Sequence, residues 1–127
     1  MKLPVLRALA LLLTTQALPA SADIVEIQWG TDGAFELRRS VPAGKLLEAC
    51  AKLPAGARVE WAYKALRPLD FNIHYHVGQQ VVYPKQLKRS ATASGTLAVE
   101  LEQDYCWMWT NKNKTAATLS LSLARKH

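Results

Sequence analysis

Ala117-Thr118-Leu119-Ser120-Leu121-Ser122-Leu123 alternates strictly between apolar and hydroxyl-bearing residues. Successive side chains of a β-strand project to opposite faces, so this stretch predicts a strand with Ala117, Leu119, Leu121 and Leu123 buried and Thr118, Ser120 and Ser122 toward water. The same period continues upstream. Tyr105, Trp107 and Trp109 oppose Cys106 and Met108, and Leu97, Val99 and Leu101 oppose Ala98, Glu100 and Glu102. Phe71, Ile73, Tyr75 and Val77 alternate with Asn72, His74 and His76; Val59, Trp61 and Tyr63 alternate with Arg58, Glu60 and Lys64. Phe35 and Leu37, and before them Ile24 to Trp29, complete the series, while Val81 to Tyr83 reads as a short strand stopped by Pro84.

Turn residues separate these runs: Gly30-Thr31-Asp32-Gly33, Pro42-Ala43-Gly44 and Pro54-Ala55-Gly56. Only Lys45 to Lys52 competes as a helical turn, because Leu46, Leu47, Cys50 and Leu53 fall near helical spacing. Lys85 to Gly95 reads as the most exposed and mobile connection. Seven or more half-buried strands without long helices predict an all-β fold, two antiparallel sheets packed face to face as a sandwich.

The N-terminus carries a different signal. Met1, Lys2 and Arg7 precede the apolar run Leu9 to Leu13, and Ala20-Ser21-Ala22 supplies small residues for cleavage. That order is a secretory signal peptide over residues 1–22, leaving one domain over 23–127. The uncharged stretch Ala8–Ala22 is 15 residues long and contains Pro19, against about 20 apolar residues for a membrane span. No transmembrane anchoring of the mature form is expected. Loss of Lys2 and Arg7 leaves 14 Lys and Arg against 10 Asp and Glu, which lowers the net charge from +6 to +4. Such a charge is ordinary for an exported domain, excludes no partner class by itself, and gives no reason to expect nucleic acid as a partner. The chain is therefore expected to be periplasmic or secreted.

Export places Cys50 and Cys106, the only two cysteines, in an oxidising compartment. An even count predicts one disulfide closing 56 residues, a constraint of about 4 kcal/mol in the chain-entropy account. Two separate buried thiols or an intermolecular bridge are the alternatives. No Cys-x-x-Cys is present, which argues against a thioredoxin-like exchange site or a zinc knuckle.

Taken in order, Gly56, Val59 and Trp61, then Asp70, Phe71 and Ile73, then Tyr105, Trp107, Trp109 and Asn111 resemble the GOLD domain. That β-sandwich occurs in Golgi cargo-receptor proteins and some lipid-transfer proteins. The resemblance spans Val41 to Leu123. It implies a jelly-roll or GOLD-like sandwich with a protein- or lipid-facing surface, and in the cargo-receptor members a disulfide that falls on Cys50 and Cys106. It implies no catalytic residue.

Three sets of residues are candidates for chemistry. His74 and His76 share a strand face, and imidazole pairs are common ligands of Zn²⁺ and Cu²⁺. Asn72 shares that face, while Met108 or His127 would join only under a suitable strand pairing. Trp61, Tyr105, Trp107 and Trp109 form either an aromatic recognition surface or, as alternation favours, part of the core. Lys85, Lys88 and Arg89 are candidates for an anion-binding patch that would touch an acidic partner or an anionic surface. Asn113-Lys114-Thr115 matches a glycosylation acceptor. No Gly-x-Ser-x-Gly, His-Glu-x-x-His or Gly-rich phosphate loop is present. These features together predict a non-catalytic exported binding or accessory module with a protein partner and no cofactor. A periplasmic metal-binding protein using His74 and His76, and a lipid or anionic-ligand module, are the alternatives.

Overall fold

The structure, a computed structural model, describes residues 2–4, 10 and 23–126. The signal-peptide reading over 1–22 and the terminal His127 therefore lie almost wholly outside the described residues. Among the described residues seven strands follow one another: β1 (Asp23–Glu26), β2 (Ala34–Val41), β3 (Leu46–Leu53), β4 (Arg58–Val77), β5 (Gln80–Ala98), β6 (Gln103–Thr110) and β7 (Ala117–Lys126). Among the described residues no helix is long and apolar enough to cross a membrane.

The expectation of two sheets is corrected here. All seven strands belong to one sheet in the order β1-β3-β6-β4-β7-β2, with β5 also paired to β4. The pairings are antiparallel apart from the parallel pair β1 and β3. Continuity comes from β4. Its first half pairs with β7 as far as Ala65↔Leu119, and its second half pairs with β6 from Asp70↔Thr110 onward. β5 accompanies both halves. The Val59 to Tyr63 and Phe71 to Val77 alternations, read as separate strands, are thus the two ends of one strand.

That strand folds back on itself. Ten residues of straight strand would separate Trp61 from Phe71 by about 33 Å, yet their ring centroids lie 5.0 Å apart. Tyr63 and Trp109 join them, at 4.8 Å from Phe71 for Tyr63 and 5.6 Å between Tyr63 and Trp109. The sheet is curled so that its inner face closes on its own aromatic side chains. Leu47, Leu53, Leu119, Leu121 and Leu123 fill the rest of the interior.

The bend is built at Leu66-Arg67-Pro68. Pro68 has no N–H to give a ladder, and the β4–β5 register shifts between Lys64 and Leu69. Opposite, Arg89 adopts φ 49° and donates its backbone N–H to Asp70 Oδ1 at 2.9 Å. The β6–β7 loop pins the corner from outside. Asn113 Nδ2 donates to the Pro68 carbonyl at 2.7 Å, Arg67 Nε donates to the Ala116 carbonyl at 3.3 Å, and Lys112 Nζ lies 2.8 Å from Asp70 Oδ2. Fully buried Asn111 organises that loop, donating to the carbonyls of Val41 and Thr115 and accepting from Asn113.

Two local expectations also change. Lys45 to Lys52 lies within or beside a strand rather than a helical turn: β3 alternates, burying Leu47, Ala49 and Leu53, and pairs along its whole length with β6. Lys85 to Gly95 is not a mobile connection but the middle of the long strand β5, which passes through Pro84 without stopping.

Candidate functional site

Curling a single sheet leaves an open mouth beside the β4–β5 hairpin. Gly78 makes that turn with φ 59°, a conformation that suits a residue without Cβ. β4 pairs with β6 only as far as His74↔Cys106, so among the described residues the hairpin beyond this point has no hydrogen-bonded neighbour on that side. Val77, Val81, Val82 and Tyr83 are exposed there within seven positions, Val82 on the side of Tyr75 and Val81 and Tyr83 on the side of His76 and His74. A cleft of about 510 Å³ opens next to them, lined by Tyr75, Val82, Pro84, Leu97, Leu101 and Tyr105. Its wall is firm: the Tyr75 and Tyr105 rings are 5.0 Å apart, and Tyr105 donates its hydroxyl to the Leu101 carbonyl at 2.8 Å. Burial raises the Tyr105 pKa above the usual 10.0, so the phenol stays protonated and donates.

On the outer face, β6 runs between β3 and β4 and aligns two rows. Cys50, Cys106 and His74 occupy one row; Glu48, Met108 and Asn72 occupy the next. Cys50 and Cys106 form the disulfide, with Cα atoms 4.1 Å apart. His74 is buried although it lies on this outer side. Its Nδ1 is 2.7 Å from Asn72 Oδ1 and its Nε2 is 3.2 Å from Glu48 Oε1. The His76 ring stands edge-on to it at 5.3 Å. Burial lowers the His74 pKa below 6.5; the Glu48 carboxylate opposes that shift and His76 adds to it. Burial outweighs the carboxylate and favours the neutral ring, whose Nδ1 lies within hydrogen-bond reach of the Asn72 amide and whose Nε2 lies within reach of the Glu48 carboxylate.

A third surface lies on the outer side of β2, β7 and β4. A shallow depression of about 490 Å³ there is floored by Ala62, Ser120 and Ser122 and rimmed by Glu36, Arg38 and Lys64.

Other sequence candidates are dispersed. Trp61, Tyr105, Trp107 and Trp109 are all buried in the inner face. Lys85 and Lys88 are exposed on β5, but Arg89 sits at the corner, where Lys88, Lys112 and the Arg89 N–H surround the Asp70 carboxylate. Asp70 shares the strand face of Asn72 and His74, but its carboxylate is taken up by Lys112 and the Arg89 N–H at the bend. Asn113 Nδ2, the atom a glycan would occupy, already donates to Pro68 and Asn111. Two contributors escaped the sequence reading. Glu48 was hidden because helical and strand spacing compete over β3, although its position two before Cys50 places it on the cysteine's face once the strand is known. The hairpin tip was divided between two short strands.

No family model and no curated protein sequence matches the chain. Solved structures do. Aeromonas hydrophila PliG, a periplasmic inhibitor of g-type lysozyme, superposes with a TM-score of 0.66 at 13% identity, covering 83% of this chain and 97% of PliG. Salmonella Typhimurium PliG, described in the same terms, gives 0.58 at 13% identity over 82% and 99%. The chain shares the PliG fold. This likeness, with the single curled sheet, overturns the GOLD resemblance. The aromatic strands and paired cysteines that carried it recur in any disulfide-tied sheet with one buried face.

Proposed function

We propose that this chain is an exported, non-catalytic binding module of the enzyme-inhibitor type, acting on a protein partner in the periplasm through the mouth of its curled sheet. The observation that carries the reading is the exposed tip Val77 to Tyr83, displayed on a hairpin whose base is locked into the core. Exposed apolar groups gathered on one hairpin tip mark a contact surface, and tyrosine is enriched among the residues that dominate binding. The adjacent cleft gives such a partner a concave element to fill. The PliG likeness supports the inhibitor reading and makes a g-type lysozyme the first partner to test.

The test uses protein recovered from the periplasm. Its intact mass should correspond to a chain beginning at Asp23 with two hydrogens lost to the disulfide. Titrated into g-type lysozyme clearing a peptidoglycan suspension, it should inhibit saturably near one equivalent. Val81→Asp and Tyr83→Ala should each weaken inhibition at least tenfold without lowering the thermal midpoint. Absence of inhibition and of any complex at tens of micromolar protein sinks the lysozyme reading. Inhibition unaffected by both substitutions moves the contact away from the tip.

A further inference from the structure

We propose that His74 and Glu48, with His76 closing over them, form a binding site for a divalent transition-metal ion of borderline hardness, Zn²⁺ or Cu²⁺. The site goes beyond the protein-binding reading and lies on a different face from the Tyr75–Tyr105 cleft, while Val81 and Tyr83 of the hairpin tip share its face, the Tyr83 ring 6.0 Å from that of His74.

The argument begins with two donor atoms. Glu48 on β3 and His74 on β4 flank β6, so their backbones are two strand spacings apart, about 9.5 Å. Their side chains nevertheless lean across β6 until Oε1 and Nε2 are 3.2 Å apart. Bonds of about 2.0–2.2 Å from one ion to an imidazole nitrogen and a carboxylate oxygen would subtend, at that separation, an angle between a right angle and the tetrahedral one. The pair is therefore already at ligand spacing.

The second element is orientation. Histidines that bind metal almost always give their other ring N–H to an oxygen acceptor, which fixes the tautomer. Asn72 Oδ1, 2.7 Å from Nδ1, is placed to accept that N–H when an ion takes Nε2. Nε2 is then the ring atom that faces Glu48 Oε1, and an ion seated between the two would take the place of the proton that otherwise bridges them.

The third element is supply of further ligands. His76 is exposed, lies two positions along the same strand face and stands with its ring 5.3 Å from that of His74, within reach of a rotamer change. Cys106 Sγ also falls within 4.8 Å of the donor atoms of Glu48 and His74. Held in the disulfide it has no thiolate to offer. The donor set is thus nitrogen and oxygen, which suits Zn²⁺ and Cu²⁺ and disfavours ions that need several thiolates.

Calorimetry on the disulfide-bonded protein, first freed of metal with a chelator, tests the assignment with Zn²⁺ and Cu²⁺ separately. Saturable binding of one ion of either metal per chain is expected, with a rise in thermal midpoint at excess metal. Glu48→Gln and His74→Gln should each weaken binding at least tenfold, and Asn72→Ala should weaken it about tenfold through misorientation. His76→Gln, an exposed change that leaves folding intact, should weaken it to a smaller extent. With Cu²⁺, paramagnetic resonance should show nitrogen coupling that diminishes in His76→Gln. No saturable binding of either ion overturns the proposal. So does binding whose affinity is unchanged in Glu48→Gln and His76→Gln, the two variants at half-buried and exposed positions.

Discussion

Gly95 faces Trp61 across the β4–β5 ladder, and a Cβ placed on it would lie 2.8 Å from Trp61 Cζ2. Trp61 cannot yield easily, because it is buried with Phe71 at 5.0 Å. Gly95→Ala is therefore expected to cost about 1–3 kcal/mol through overpacking, read as a lower urea midpoint with an unchanged slope; an unchanged midpoint would show that the indole shifts freely. His74 makes a second residue-scale prediction. Its pKa in the fold is depressed by burial from 6.5, so the unfolded chain binds the proton more readily and stability increases with pH over that window. Stability from this group is complete above 6.5 and declines as pH falls through the lower folded value. The urea midpoint should drop between pH 7.5 and 5.5, and His74→Gln should flatten that part of the curve. Asp70, held below 3.8 chiefly by the Lys112 ammonium, has the same sign but acts only in a more acidic window.

At the scale of elements, the disulfide joins the centres of β3 and β6 at directly opposed positions. It closes 56 residues that include all of β4 and β5. Changing both Cys50 and Cys106 to Ala should lower unfolding free energy by about 4 kcal/mol, most of it through a freer unfolded chain; a loss below about 1 kcal/mol in chemical denaturation would count against that account. Strand faces were legible in the sequence: Leu119, Leu121 and Leu123 are buried, and so are Tyr105, Trp107 and Trp109, as alternation requires. Strand limits were less so. Ala and Leu in β3 carry intrinsic helix preference, yet eight cross-strand partners on β6 override it. Proline removes a ladder donor and reads as a strand end, but Pro84 falls at a bulge of the β4–β5 ladder, between the pairs Tyr75↔Val82 and Ile73↔Lys85, where a residue without N–H is tolerated. The candidate metal ligands were half legible. His74 and His76 follow from period two, whereas Glu48 is 26 positions away and meets them only through pairing with β6.

For the whole molecule, period two says that every strand has an inner and an outer face, and this holds equally for two stacked sheets and for one sheet folded over. The distinguishing information resides in Leu66-Arg67-Pro68, where an exposed leucine and a proline look like the end of a strand. In the structure they are a corner inside β4, held by Asp70, Asn113 and the left-handed Arg89. The distinction has a measurable consequence. If β4 is one strand serving both halves, its amides on either side of the corner are broken only when the whole sheet opens. Hydrogen exchange at Val59, Trp61 and Tyr63, paired with β7 and β5, should then report the same opening free energy as at Phe71 and Ile73, paired with β6 and β5. Both sets should match the global value from denaturation. Two independent sheets would give the sets different values, and a gap exceeding tenfold in protection would mean that the corner acts as a hinge between separately opening units. Asp70→Asn provides the sharper comparison: it weakens the corner while leaving both ladders intact, and in a single cooperative sheet it should lower protection in both halves by the same factor.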